Sequence, residues 1–211
     1  MLSLNNILDF DMLELTPELE LTYRKFGTLT PLKAGDSLHH FNLQKDYTRY
    51  QQFFNGAETH GPLSLTQLLN KPLVISFYSS HWGEHGLKVL KELNNIQHEI
   101  RAHGGNLLVV NTEDREHLAK VIWDNSLTLN FYKDSAHQLA RLFKVYAHNA
   151  PTWNTYPGID VNIPLLATFV VSASKVIVYD HVDRTLSGQL AVKEILAAVY
   201  QSADQHGKRS A

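Results

Sequence analysis

The stretch SFYSSHWGEHG, residues 76 to 86, sets hydroxyl, imidazole and carboxylate side chains along a strand that runs into the first turn of a helix. His81, Glu84 and His85 fall at i, i+3 and i+4, a spacing that brings side chains about 5–6 Å apart on one helix face, within reach of a shared metal ion. On a wheel of about 100° per residue, Val89, Leu90, Leu93, Ile96 and Ile100 form an apolar face. Trp82 and Gly86 fall within that face and Gly83 at its edge. His81, Glu84 and His85 lie opposite, beside Lys88, Glu92 and Glu99, so their plain reading is a solvated stripe. Metal binding by these surface histidines is a second alternative. The helix start offers unpaired amides with positive partial charge, and Gly83 and Gly86 let a ligand approach the backbone. A small anion or polar molecule is one occupant. The other reading is inert structure, with Ser79 or Ser80 capping the helix and water in the gap.

Several chemistries are excluded outright. The chain has 211 residues and no cysteine, which removes disulfides, thiolate metal sites and thiol nucleophiles. Nineteen basic against twenty-one acidic residues leave a formal net charge of -2, with no electrostatic footprint for nucleic acid or anionic lipid. No stretch approaches the roughly twenty apolar residues of a membrane span, and MLSLNNILDF has no basic leader. The expectation is a soluble, cytoplasmic protein with no nucleic-acid or membrane partner. Its twelve histidines are scattered. No Walker loop, G-x-G-x-x-G or G-x-S-x-G signature is present, and no cofactor is expected.

The elements that must position this turn alternate. PLVISFY reads as a buried strand, followed by a helix from about His81 to His103, stopped by Gly104 and Gly105. NLLVVN is the next strand. Thr112 is the expected cap of a helix to Asp124, with Glu113 and Asp114 in its first turn. LTLNFYK is a strand, and Asp134 starts a helix through Tyr146. After a loop over 147–162, LLATFVV and KVIVYDHV form a hairpin before the last helix, QLAVKEILAAVY, whose polar tail is expected to fray. This order predicts an α/β fold, a mostly parallel sheet with one antiparallel pair, sandwiched by helices. Residues 1–31 read as an N-terminal arm with a helix starting at Thr16-Pro17-Glu18, residues 32–203 as the domain, and 204–211 as a tail.

LKAGDSLHHFNL at 32–43, GPLSLTQLLNKPLVISFY before the turn, Leu107 to Asn111, Tyr156-Pro157-Gly158-Ile159-Asp160 and LLATFVV together resemble the peroxiredoxin-like alkyl hydroperoxide reductase / thiol-specific antioxidant family, of thioredoxin-like fold. The resemblance spans about residues 32 to 200. In relatives of this pattern the strand ends in Trp-Cys-x-x-Cys, where the first cysteine attacks the peroxide. Here the frame reads Trp82-Gly83-Glu84-His85-Gly86. Ser76 and Ser80 stand where the broader family has proline and threonine, and Leu166 where relatives carry a cis-proline or arginine facing the thiolate. Glycine supplies no nucleophile, and oxygen or nitrogen groups lack sulfur's reversible oxidation cycle. The expectation is therefore a non-catalytic, peroxiredoxin-like scaffold that binds a protein partner or a small anionic ligand near Tyr78, Ser80, Trp82, Gly83, Gly86, Leu166 and Thr168. The resemblance implies a homodimer. The alternative is an antioxidant oxidoreductase working with an external thiol or cofactor.

Three other stretches were weighed. Tyr47, Tyr50, Phe53 and Phe54 lie at near-helical spacing and read as a satellite core cluster or an interaction surface. Trp153 and Tyr156 lie on a long loop of the kind that lines sites or acts as a lid. Asp180, His181, Asp183 and Arg184 read as a charged loop.

Overall fold

The computed structural model describes residues 26–38, 53–54, 57–58 and 65–209. The N-terminal helix expected near Thr16 and the aromatic positions Tyr47 and Tyr50 lie outside them. Strands β1 (Phe53–Phe54) and β2 (Ala57–Glu58) form a small antiparallel pair, so Phe53 and Phe54 are extended rather than helical. A four-residue helix, α1 (Leu65–Leu68), precedes the central strand β3 (Leu73–Phe77). All five β3 residues are buried, as a continuous apolar run requires when both faces of a strand are covered. A 3-10 turn (Ser80–Trp82) leads into α2 (Gly83–Ala102), then come β4 (Asn106–Asn111), α3 (Arg115–Asp124), β5 (Phe131–Lys133), α4 (Gln138–Leu142), β6 (Ala167–Val171), β7 (Ile177–Val182) and α5 (Val192–Arg209).

The sheet order is β5-β4-β3-β6-β7. The β3–β4 and β4–β5 ladders are parallel, while β3–β6 and β6–β7 are antiparallel. The expected single antiparallel pair is thus two, because the long connection after α4 brings β6 back beside β3 in the reverse direction. Helices α2 and α5 touch each other; α2 lies against β4, and α5 against β3, β6 and β7. The buried set of α2, from Gly86 through Val89, Leu90, Leu93 and Ile96 to Ile100, is the apolar face that the wheel predicts. Residues 35–38 dock beside the start of β7, where Gly35 N–H donates to Ile177 O at 2.8 Å and Leu38 N–H to Lys175 O at 2.8 Å.

Three element boundaries differ from the expectation. Asp114, not Thr112, caps α3, its carboxylate accepting from His117 N–H at 2.8 Å. Helix α4 is one short turn rather than a run from Asp134 to Tyr146; Asp134 still caps it from a distance, accepting from Gln138 N–H at 2.7 Å and Ala140 N–H at 2.9 Å. Helix α5 continues to Arg209, through most of the segment expected to fray. Among the described residues no helix is long and apolar enough to cross a membrane.

Candidate functional site at the carboxyl ends of β3 and β4

Because β3 and β4 are parallel neighbours, the segments that leave their carboxyl ends meet, which is where open α/β sheets usually place ligands. Tyr78 N–H donates to Val110 O at 2.8 Å and continues the ladder past β3. On the other side Asn111 Oδ1 accepts from Glu113 N–H at 3.0 Å, while Asn111 Nδ2 donates to Tyr132 O at 3.3 Å. That brace turns the Glu113 side chain toward the start of the 3-10 turn. Glu113 Oε1 accepts from Ser80 N–H at 2.8 Å and from the Ser79 hydroxyl at 3.1 Å, and Oε2 accepts from the Ser80 hydroxyl at 2.9 Å. Only 9% of the Glu113 side chain is exposed. A carboxylate of the chain itself therefore takes the Ser80 amide and both serine hydroxyls of the turn that precedes α2.

Ser79 has one hydroxyl proton, and giving it to Glu113 leaves its oxygen to accept from His81 Nδ1, 3.1 Å away. His117 Nε2 lies 3.9 Å from Glu113 Oε2. Burial, reinforced by the charge of Glu113, pushes the Tyr78 phenol up to about 12. The cluster holds hydroxyls and a carboxylate with no activated nucleophile: Ser79 is buried, and its proton goes to an acceptor that also holds the backbone.

The expected ligand residues divide into an outer and an inner group. Gly83 is exposed and Ser80 half-buried. Tyr78, Trp82, Leu166 and Thr168 are all at most 4% exposed. Trp82 Nε1–H donates to Pro164 O at 3.0 Å, and its ring meets Tyr156 edge-on at 5.2 Å, so the 147–162 loop closes over the turn. The Thr168 and Ser76 hydroxyls are 2.9 Å apart, bridging β6 and β3. The two glycines differ. Gly83, at φ +56°, takes a left-handed conformation and a Cβ there would meet open space. At Gly86 a Cβ would lie 3.1–3.2 Å from Trp82 Cβ, Ser79 O and the Tyr78 ring, so the helix packs there against the strand end with no side chain between.

His81, Glu84 and His85 do not share one regular helix face, because His81 belongs to the 3-10 turn and Gly83 breaks the backbone before α2. His85 is half-buried rather than solvated: Gly188 packs so closely that a Cβ there would lie 2.9 Å from His85 O. Glu92 Oε2 accepts from Leu190 N–H at 2.9 Å. Among the described residues no three His, Asp or Glu side chains group as a metal site would require. The segment over that stripe is organised by Asp183, 4% exposed, which accepts from Gly188 N–H at 2.7 Å and Ser187 N–H at 3.0 Å. Asp183 is thus a buried anchor rather than part of a charged loop. Asp180 Oδ1 accepts from Ala34 N–H at 2.8 Å. The sequence shows Glu113 only as an acidic residue at a helix start, because its partners are more than thirty residues away and nothing local separates it from its acidic neighbour.

The AhpC/TSA family model matches residues 34–180. The chain belongs to the AhpC/TSA family. No curated protein matches it. Among solved structures it is similar to the peroxidoxin BcpB of Mycobacterium tuberculosis, at 18% identity and TM-score 0.59, covering 81% of this chain and 97% of that one. It is also similar to the reduced 2-Cys peroxiredoxin of Plasmodium vivax, at 16% identity and TM-score 0.58, covering 85% of each chain. Peroxiredoxin Q of Xanthomonas campestris matches at 20% identity and TM-score 0.54, over 70% of this chain and 87% of that one. At such identities these likenesses establish the fold alone. This AhpC/TSA chain has the peroxiredoxin-like, thioredoxin-like scaffold without any cysteine.

Proposed function

We propose that this chain is a non-catalytic member of the AhpC/TSA family whose scaffold binds another molecule at the β3–α2 turn instead of reducing peroxides. The observation that carries the reading is the hold of Glu113 on the amide and hydroxyl of Ser80. A thiol peroxidase needs positive potential at this turn to hold a thiolate, and here the turn holds an internal carboxylate instead. The exposed rim, with His81, Gly83 and Glu84 at the surface and Ser80 behind them, supports a protein partner over a small anion, which would have to displace Glu113. Tyr78, Trp82, Gly86, Leu166 and Thr168 shape that rim from beneath.

The test is peroxide consumption by the pure protein with a small thiol or a dithiol protein reductant, against reductant alone. No excess consumption is expected with either. Many turnovers per chain would overturn the reading, and turnover only with the protein reductant would favour an oxidoreductase working through an external thiol.

A further inference from the structure

Residues 27–30 cross the body of the molecule as a strap. Gly27 N–H donates to Asn149 O at 2.8 Å at one end, and Leu32 N–H to Phe143 O at 3.1 Å at the other. Between these ties the strap, Arg141, Lys144 and residues 146–150 line an open cavity of about 520 Å³. None of these residues belongs to the β3–α2 turn, and the volume suits a small organic molecule, for which pockets of about 300–1,000 Å³ are usual.

The lining has one sign of charge. Arg141 and Lys144 carry fixed positive charge, and among the described residues no Asp or Glu lines the cavity. One Arg141 Nη donates to Ala136 O, which orients the guanidinium while leaving donors over. Lys144 has no ion pair among the described residues. Its backbone sits at φ +56°, a left-handed conformation that is strained for a residue with a side chain. A glycine would end α4 there without strain. Leu29, Ala147 and Ala150 give the cavity apolar walls, and the Tyr146 ring is fixed by stacking on His137 at 3.9 Å.

We propose that this cavity binds a small amphipathic oxyanion, a carboxylate or phosphate monoester on an apolar body, with Arg141 and Lys144 holding the charge and Leu29 and Tyr146 flanking the body. The test is calorimetric titration of the full chain with octanoate, phenyl phosphate and, as neutral control, octanol. Saturable binding of at least one oxyanion at millimolar concentration or tighter, with octanol at least tenfold weaker, is expected; which oxyanion binds better assigns the head group. Lys144→Gly should weaken that binding about tenfold while leaving the thermal midpoint equal or higher, and Arg141→Gln should weaken it as well. Absence of binding by both oxyanions, equal binding of octanol, or undiminished affinity in Lys144→Gly would each overturn the proposal.

Discussion

At the residue scale the decisive side chain is Glu113. Three donors from Ser79 and Ser80 converge on its carboxylate in a site almost closed to water, where an unmet donor carries its full desolvation penalty. Glu113→Ala should therefore destabilise the protein by about 2–4 kcal/mol in urea denaturation, and Glu113→Gln by less, since an amide can still accept from one serine and donate to the other. A loss of under about 0.5 kcal/mol in the alanine variant would mean that the carboxylate is incidental. The same residue governs what a restored thiol could do. In Gly83→Cys the new sulfur follows a turn that already holds the Glu113 carboxylate, so its alkylation rate should titrate at or above the ordinary thiol value of about 8.5. Adding Glu113→Gln should move that midpoint down. A midpoint near 6 in the single variant would show that the turn still activates a thiolate.

At the element scale, the strands and α2 were legible because long apolar runs and glycine stops report burial directly: PLVISFY gave β3, and Gly104 marks the end of α2 to within two residues. The start of α3 was not, since Thr112 and Asp114 are both good caps and only the brace from Asn111 to Glu113 selects the later one. The direction of β6 was not legible either, because it depends on how the connection over residues 143–166 returns rather than on the strand's own residues. The connection from β7 to α5 rests on Asp183. Burial alone would raise this carboxyl, but hydrogen bonds from the Gly188 and Ser187 amides and the Thr185 hydroxyl carry it below its usual value of 3.8. A depressed carboxylate contributes stability that is present above 3.8 and is lost as the pH falls through its folded-state value. Acid unfolding should accordingly begin at lower pH in Asp183→Asn than in the unaltered chain when the two are compared at equal stability near neutrality, because the variant has no such contribution to lose. Superimposable acid profiles would remove Asp183 from that account.

At the scale of the whole molecule, the fold was legible in outline and the site was not. Cysteine content and the Trp82-Gly83-Glu84-His85-Gly86 frame are one-dimensional facts, so the missing sulfur could be read from the letters alone. The apposition of Glu113 with Ser80, or of the 27–30 strap with Arg141 and Lys144, exists only after folding. The homodimer implied by the family resemblance belongs to this scale too. Light scattering at micromolar concentration should give about twice the 24.0 kDa mass of one chain, and a single-chain mass would set that expectation aside.

The crowding around Gly86 also limits what can replace it. With the Ser79 carbonyl and the Tyr78 and Trp82 side chains 3.1–3.2 Å from the site of the missing Cβ, any side chain placed there, cysteine included, would make these neighbours give by a few tenths of an ångström. Glycine is thus the residue that lets helix and strand end meet here without displacing their neighbours, and the spot should tolerate substitution poorly.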